Sequence, residues 1–429
     1  MTGSIDRLAT VKAVAQLGAV LGRTFSYEVL RAVTSLDEAS LQQALARLVD
    51  AELLYQRGVP PQATYLFKHA LIQDAAYQSL LKSTRQQCHQ QIAQALERRF
   101  PASVETQPEL IAQHHTAAGC TEQAVVYWQR AGQHASDRSA NLEAISHFTT
   151  GIELLKTLSE TPERTQQSIT LHIALGAALQ MAKGHAAPEV EQAYTRAYAL
   201  CQQVGETPQL IPILFGLWRF YISRPQLHTA RKLGETLLRL AQSTHAPALA
   251  VVAHYALGLT WLCLGALPAA RQHLEEGLSH YTPDQRRAPV FRMGFDPGVA
   301  GRTYPAMLLW LRGYPEQARV RLHEALALAH EISHPYSLAF ARFWAAWVSQ
   351  VRRDVPAAHE HAETAVALST EQGFPLWTAI GTSLRGWALA MQGQGEEGLG
   401  PSPPGDRRLA GHRGSVVRPM LLHLAGRSC

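Results

Sequence analysis

The sequence predicts an all-α protein, a right-handed α-solenoid of tetratricopeptide-like helical hairpins preceded by a small winged-helix domain. Two observations predict this fold. Between residues 5 and 399, Ala, Leu, Gln, Glu and Arg recur at helical spacing and are interrupted by Gly and Pro. In the second half of the chain a hairpin pattern also repeats, and hairpins that cannot bury their apolar faces alone stack on their neighbours.

Residues 1–98 are predicted to form the winged-helix domain. Helical patterns run through its first half, and two strand candidates follow at 53–57 (LLYQR) and 63–67 (ATYLF). The strands flank the Gly/Pro-rich stretch GVPPQ, which can close a hairpin. A further helix over 68–82 follows directly from the second strand. Helices followed by a two-stranded wing and another helix are typical of a winged helix.

Residues 99–399 are predicted to form the solenoid. Each hairpin needs a glycine at its turn and a small residue early in its second helix, and segment 254–278 supplies Gly265 and Ala270. The pattern recurs at intervals of about 40 residues, with one longer step that absorbs the Pro/Gly-rich segment 281–298. The equivalent positions are Ala230, Ala318, Ala358 and Gly398, with looser units around Ala124, Ala144 and Ala193.

Residues 400–429 break the pattern. The segment begins GPSPPGDRRLAGHRGS, which has no helical period, where Gly393–Leu399 has just begun the turn into the second helix of the last hairpin. Half a hairpin would leave an apolar face exposed, at a cost proportional to its area. Two explanations stay open. The tail is a disordered terminus, or it is a frameshifted end, since GC-rich codons for this stretch, read one nucleotide over, can encode an amphipathic helix.

The charge distribution argues against nucleic acid as a partner. The net charge is +5, but five of the 39 basic residues and one of the 34 acidic residues lie in the tail, so the rest of the chain is close to neutral. A phosphate backbone requires a basic groove. No apolar run approaches the roughly 18 residues of a membrane span, and Asp6 and Lys12 come too early for a secretory signal. We therefore expect no membrane partner.

The cysteines predict a reducing, cytoplasmic location. They are scattered, without a CxxC pair, which argues against a zinc module or a disulfide framework. Their positions are Cys88, Cys120, Cys201, Cys263 and Cys429.

Five segments together resemble one protein family. They occur in the order 64–97 (TYLFKHALIQDAAYQSLL and onward), 127–147 (YWQRAGQHASDRSANLEAISH), 296–299 (DPGV), 334–339 (HPYSLA) and 386–398 (GWALAMQGQGEEG). This order resembles the C-terminal half of bacterial STAND-class signalling ATPases that are often named adenylate or guanylate cyclases. The resemblance implies a cyclase domain, an AAA-like nucleotide-binding domain, a winged helix and a tetratricopeptide-like array that senses or binds a partner in signal transduction.

The chain departs from that family in its catalytic parts. It contains no GxxxxGK[ST] motif and no Gly-Lys dipeptide, so no P-loop can hold phosphates. Nothing resembles the paired metal-binding aspartates of a cyclase domain. The catalytic domains would lie upstream of Met1, and we expect this chain to be a fragment without enzymatic activity. A nucleotide-binding domain encoded upstream is an expected partner, and no cofactor is expected.

His69 is the one candidate site residue. The stretch KHALIQDAA resembles the Met-His-Asp-type motif of STAND winged helices, in which a histidine contacts the β-phosphate of ADP in the off state; here Ala70 follows the histidine instead of an acid. Imidazole suits this contact because it titrates near neutral pH. Two interpretations stay open: a local hydrogen bond at the junction of wing and helix, or nucleotide sensing in an intact relative only.

The other histidines and cysteines predict neither a metal site nor a catalytic residue. His114 and His115 diverge on a helix, as do His359 and His361, whereas helical zinc ligands favour a spacing of four residues. Adjacent Cys88 and His89 do not face each other. Most histidines are expected on solvated helix faces. Aromatic residues recur in the first helix of successive hairpins, mostly as core, with one or two lining the concave face: Trp218, Phe220, Tyr221, Trp261, Trp310, Trp344 and Trp347.

The function that this pattern favours is a non-catalytic regulatory or sensor module that binds a protein, peptide or effector through the solenoid groove. One alternative is a winged-helix transcriptional regulator. It requires a basic recognition helix, and segment 37–50 (DEASLQQALARLVD) offers one arginine and three acids. The other alternative is a non-functional remnant of a broken gene.

Overall fold

The computed structural model describes residues 2–205, 208–282 and 296–394, with side chains from residue 9 onward. Helices dominate these residues and strands are confined to one small sheet, so the all-α prediction is confirmed. The predicted tail at 400–429, with both of its explanations, lies outside the described residues.

The chain divides into two compact units. Unit 1 comprises Met1–Arg138 and Ser146–Glu160, and unit 2 comprises Ser139–Ile145 and Thr161–Cys429. The predicted boundary between a winged helix and a solenoid near residue 98 falls inside unit 1 and stays a prediction.

Unit 1 contains a three-stranded sheet and helices of 6 to 20 residues. Its elements are α1 (Thr2–Leu21), β1 (Thr24–Ser26), α2 (Tyr27–Val33), α3 (Glu38–Asp50), β2 (Leu54–Arg57), β3 (Thr64–Phe67), α4 (Ala70–Gln78), α5 (Lys82–Arg99), α6 (Pro101–Thr106), α7 (Pro108–Ala118), α8 (Thr121–Asp137) and most of α9 (Asn141–Leu155).

The two predicted strands are present as β2 and β3. They pair antiparallel, with Leu54 opposite Phe67. The sequence missed β1, which pairs with the other edge of β3 and places Thr24 opposite Leu66. A strand of three residues is too short for the alternation of apolar and polar side chains to appear in the sequence.

Helix α3 shows how the sequence builds this unit. Asp37 caps the helix by accepting a hydrogen bond from the Ser40 backbone N–H at 2.9 Å, which satisfies one of the free donors of the first turn. Leu41, Leu45 and Leu48 recur at helical spacing and are buried. They pack in one core with residues of the sheet, so this amphipathic face holds the helix against β2 and β3.

Unit 2 consists of stacked helical hairpins. Its helices are α10 (Pro162–Lys183), α11 (Pro188–Val204), α12 (Leu210–Ser223), α13 (Leu227–Thr244), α14 (Pro247–Cys263), α15 (Leu267–Ser279), α16 (Pro297–Leu311), α17 (Pro315–Glu331), α18 (Pro335–Val351), α19 (Val355–Glu371) and α20 (Pro375–Met391).

Four of the predicted hairpin positions are confirmed in unit 2, and the fifth, Gly398, lies outside the described residues. Ala230, Ala270, Ala318 and Ala358 lie in α13, α15, α17 and α19, and each is fully buried. Only a methyl group fits where two helices of a hairpin approach closely. At the turn before α15, Gly265 adopts a φ of 77°, a conformation that costs glycine little.

The first helices of the hairpins, α10, α12, α14, α16, α18 and α20, form the inside of unit 2, and we call them the inner helices. From α10 to α18, each contacts the next inner helix as well as its own hairpin partner. Accordingly α14 and α18 are buried on nearly all sides. Helix α10 also contacts α20. The array therefore curves until its first and last inner helices meet.

Candidate functional site

A row of buried aromatic side chains joins the inner helices. Tyr255 of α14 lies 5.3 Å from Trp218 of α12, measured between ring centroids. Tyr255 also lies 5.7 Å from Tyr304 of α16, and Tyr304 lies 5.4 Å from Trp344 of α18. Edge and tilted contacts at these distances are the favoured arrangements of aromatic pairs.

The row continues onto α20. Trp377 packs 5.7 Å from Phe340 and 5.3 Å from Phe343, again between ring centroids. We call this set the inner aromatic row: Trp218, Tyr255, Tyr304, Phe340, Phe343, Trp344 and Trp377. The sequence predicts Trp218 and Trp344 as hairpin core, and both are buried. The other members are not predicted, because their contacts join hairpins about 40 residues apart.

Two indole groups of the row retain an unused donor. The Trp218 Nε1 donates to Thr260 Oγ1 at 2.9 Å. By contrast, Trp344 Nε1 and Trp377 Nε1 are buried and have no acceptor among the described residues. The two side chains are 3% and 7% exposed, so both lie in the packed core of unit 2. A buried donor left unsatisfied costs about 1–3 kcal/mol.

A buried arginine lies at the α12 end of the row. Arg219 is 6% exposed, and its guanidinium donates to His185 Nε2 at 2.8 Å. It also lies 5.9 Å from the centre of the Phe215 ring. Burial lowers the pKa of His185 well below its ordinary value, so this acceptor is a neutral imidazole. The guanidinium remains charged at every relevant pH, which makes this end of the interior positive.

Three buried tyrosines surround that charge. Burial raises the pKa of Tyr194, Tyr255 and Tyr304, and the positive charge of Arg219 acts on each hydroxyl in the opposite sense. The hydroxyls of Tyr255 and Tyr304 are hydrogen-bonded to each other. All three phenols therefore stay protonated at neutral pH and act as hydrogen-bonding groups rather than as bases. This chemistry suits binding.

His69 lies at the junction between β3 and α4. Its side chain is exposed and makes no capping hydrogen bond to α4, although its carbonyl oxygen accepts from the Ile72 N–H at 3.1 Å. The preceding Lys68 is fixed by a salt bridge to Glu52. Sensing of a nucleotide by His69 in an intact relative stays a prediction.

Three other histidines of unit 1 are buried, unlike the solvated positions expected for most of them. His114 and His115 diverge, as predicted. His114 Nδ1 lies 2.8 Å from His89 Nδ1, and His115 Nε2 lies 2.9 Å from a Glu97 carboxylate oxygen. Tyr77 extends this hydrogen-bond network, because its hydroxyl lies 3.0 Å from His89 Nε2. The network links α4, α5 and α7.

Cys88 does not take part in that network. It is partly buried, and burial raises the pKa of its thiol, which disfavours the reactive thiolate. Within the described ranges, no group of three or more His, Cys, Asp or Glu side chains is arranged to hold a metal ion.

Two of the segments that carry the family resemblance meet in unit 2. Asp296, from DPGV, caps α16 by accepting from the N–H groups of Gly298 and Val299. Its own N–H donates to Ser337 Oγ, from HPYSLA, at 2.8 Å. The Ser337 hydroxyl in turn lies 2.8 Å from His334 Nδ1. These segments therefore join neighbouring hairpins and are structural.

No protein-family model matches the sequence. An uncharacterized protein of Rhizobium meliloti (strain 1021) is 26% identical over 341 residues, which cover 78% of this chain and 33% of the relative. The chain thus spans about a third of the length of the curated relative that it matches.

Solved structures with similar folds include the Rap conjugation gene regulator of plasmid pLS20 in complex with the Phr* peptide. It has a TM-score of 0.51 and 12% identity, and the match covers 81% of this chain and 92% of that one. At this identity the likeness concerns the fold. A Pyrococcus horikoshii STAND protein with a tetratricopeptide repeat sensor matches with a TM-score of 0.38 and 11% identity over 97% of this chain and 63% of its own.

No helix within the described residues is both long and apolar enough to span a membrane.

Proposed function

We propose that this chain is a non-catalytic sensor module of a cytoplasmic signalling protein, in which unit 2 binds a peptide or an extended protein segment along its inner helices. The observation that carries the proposal is the curved array of unit 2, in which neighbouring inner helices contact each other and α10 contacts α20. A peptide supplies main-chain carbonyls as acceptors and side chains that pack on aromatic rings. The fold shared with a peptide-bound Rap regulator supports this class of ligand.

Unit 1, in this proposal, is a winged helix that contacts a nucleotide-binding domain. The order α1, β1, α2, α3, β2, β3 with a three-stranded antiparallel sheet supports the winged helix. Leu71, in the first turn of α4, is 79% exposed, and Leu81, just after that helix, is 75% exposed. Both are close in sequence to His69, and such apolar surface is typical of a contact site. The greater length of the Rhizobium relative leaves room for such a domain.

A pool of randomised octapeptides tests the proposed function of unit 2. The full chain is incubated with the pool, retained peptides are identified by mass spectrometry, and hydrogen exchange is measured with and without them. We expect retained peptides to slow exchange in α14, α16, α18 and α20. Protection confined to the outer helices α13, α15, α17 and α19, or no retention at all, would contradict the proposal.

A second experiment tests unit 1. A P-loop protein encoded directly upstream of this gene is purified and mixed with the full chain. We expect the two to co-elute in gel filtration and Leu71→Asp to weaken the complex. Val59→Asp, at a position 72% exposed in the β2–β3 turn, serves as the matched control. Absence of such a gene, together with stable expression of this chain, would favour an independent adaptor.

A further inference from the structure

The last inner helix lacks a partner that the other inner helices have. Each of α10, α12, α14, α16 and α18 packs against the helix that follows it in the chain. Helix α20 contacts α18, α19 and α10, and within the described ranges no helix follows it. One face of α20 is therefore left uncovered by the described part of the chain.

Comparison with α18, which begins 40 residues earlier in the chain, shows which side chains are left uncovered. Ala339 is fully buried in α18, whereas its counterpart Ala379 in α20 is exposed. Trp347 is buried, whereas its counterpart Trp387 is only partly buried. Met391, in the last turn of α20, is 48% exposed. Because burial of apolar surface is favourable in proportion to its area, this face suits an apolar occupant.

The turn after α20 has the geometry of a turn inside a helical hairpin. Gly393 adopts a φ of 83°, and the N–H of Gln394 donates to the Leu389 carbonyl oxygen at 2.9 Å. Gly313 has the same φ, and the N–H of the next residue makes the equivalent bond at 2.9 Å. That earlier turn leads directly into α17, which packs against α16. The turn at Gly393 therefore points the following chain back along α20.

The sequence after this turn indicates which segment can cover the face. Residues 395–405 (GEEGLGPSPPG) contain four glycines and three prolines, a composition that excludes an outer helix directly after the turn. Apolar residues return at 416–425 (VVRPMLLHLA), where seven of the ten are apolar. We propose that residues 416–425 of this chain pack on the uncovered face of α20, at the place where an outer helix would otherwise lie.

Chain length and charge both favour this occupant. The linker 395–415 can extend to ~70 Å at ~3.3 Å per residue, whereas α20, with 17 residues, is about 25 Å long. The linker therefore lets the segment reach any point on the helix. Helix α19, which packs beside α20, contains three glutamates and no Lys or Arg. Arg413 and Arg418 accompany the apolar segment, and opposite charges on neighbouring elements attract.

The tether also favours this segment over a second copy of the chain. A segment on a flexible linker has an effective concentration on the order of millimolar at its site, and a second copy competes only at the concentration of the dissolved protein. We therefore expect a monomer in which α20 is covered by its own chain.

Hydrogen exchange on the full chain tests this inference. The wild type is compared with the double variant Leu421→Asp/Leu422→Asp, which places two charges in the apolar segment, and with Ser402→Asp, a control in the linker. We expect the amides of α20 to exchange about tenfold faster or more in the double variant, because burial of apolar side chains no longer opposes local opening. Ser402→Asp should match the wild type, and α14 should exchange equally in all three.

A second pair of variants tests the face of α20 itself. Ala379→Asp places a charge on the uncovered face, and Ala327→Asp is the matched control at an exposed alanine of α17. We expect residues 416–425 to be protected from exchange in the wild type and in Ala327→Asp, and to lose that protection in Ala379→Asp. Circular dichroism checks that each variant folds, and the double variant in the segment decides if Ala379→Asp does not fold.

Two results would overturn the inference. Equal exchange of α20 in the wild type and in the double variant would show that residues 416–425 do not cover this helix. Exchange of α20 that slows as the protein concentration rises, together with a dimer in light scattering, would assign the face to a second copy of the chain. Faster exchange of α20 in the double variant of a monomeric chain, with loss of protection at 416–425 in Ala379→Asp, would support the proposal.

Discussion

The Nδ1 atoms of His89 and His114 lie 2.8 Å apart in the interior of unit 1. One of them must donate and the other must accept, so the contact holds only while at least one imidazole is neutral. Burial is the main cause that lowers the pKa of both groups, and it lowers the pKa of His114 to about 3. Arg85 adds to the effect on His89, and His89 and His115 add to the effect on His114.

We expect the free energy of unfolding to fall as the pH drops below about 6.5, because the unfolded chain then binds more protons than the folded one. The loss should continue toward the folded pKa of His114, about 3, at up to ~1.4 kcal/mol per pH unit for one proton. Above about pH 7 these two groups should contribute no pH dependence. Urea unfolding followed by circular dichroism at several pH values measures the slope.

The matched variants for that measurement are His114→Gln and His69→Gln. His114→Gln removes a buried titrating group and should flatten the acid side of the profile. His69→Gln replaces an exposed side chain outside this network and should leave the profile unchanged. Equal slopes in wild type and His114→Gln would show that other groups cause the acid sensitivity.

A second prediction concerns the close packing of Tyr194 against α12. A Cβ atom placed on Gly216 would lie 2.3 Å from the Tyr194 ring, which no side-chain contact tolerates. We expect Gly216→Ala to destabilise the protein by about 1–3 kcal/mol through overpacking. Gly301→Ala is the control within another helix of the same unit, since its Cβ would meet Leu278 at an ordinary 3.4 Å.

Because alanine favours helix over glycine by up to ~1 kcal/mol, Gly301→Ala should be neutral or stabilising. Thermal unfolding of the two variants measures the difference between them. Similar transition temperatures for Gly216→Ala and wild type would contradict the packing around Tyr194.

A third prediction concerns the Ser337 hydroxyl, which joins the segments DPGV and HPYSLA. Ser337→Ala removes the acceptor of the Asp296 N–H and the partner of His334 Nδ1. The Asp296 N–H is then buried without that acceptor, and we expect a loss of about 1–3 kcal/mol. Ser383→Ala removes an exposed hydroxyl that bonds only to its own helix; its effect should stay within about 0.5 kcal/mol. Urea unfolding distinguishes the two, and equal effects would count against a structural role for Ser337.

A fourth prediction addresses His69 in this chain. Its side chain is exposed and makes no capping bond, so His69→Ala should change the free energy of unfolding by no more than about 0.5 kcal/mol. Calorimetric titration of the wild-type chain with ADP should give no binding heat, because the sequence has no P-loop. ADP binding that disappears in His69→Ala would show that His69 belongs to a nucleotide site that does not use a P-loop.

The helical hairpins could be predicted from the sequence because their signals are local. A buried alanine such as Ala270 and a turn glycine such as Gly265 recur within each repeat, and β2 and β3 flank an evident turn. Strand β1 could not be predicted because its three residues carry no periodicity. The sequence contained a separate signal for Arg219: a charged residue between Trp218 and Phe220 in an otherwise apolar helix.

The inner aromatic row as a whole could not be predicted from the sequence. Its contacts depend on how successive hairpins stack, as when Tyr255 meets Tyr304 from the next hairpin. Aromatic residues at helical spacing indicate burial, but they do not specify which neighbouring hairpin each one meets. The His89–His114 pair was missed for a related reason, because residues on different helices come together only through tertiary packing.

The contact between α10 and α20 has a thermodynamic consequence. If a peptide enters the inside only after these helices separate, the measured affinity is the intrinsic affinity reduced by the fraction of molecules that are open. Weakening the α10–α20 contact would then tighten peptide binding while lowering stability. Binding of a peptide inside the array would then change the position of α10, the helix that begins the hairpins of unit 2. The α10–α20 contact would in this way couple peptide binding inside the array to a change at its first helix.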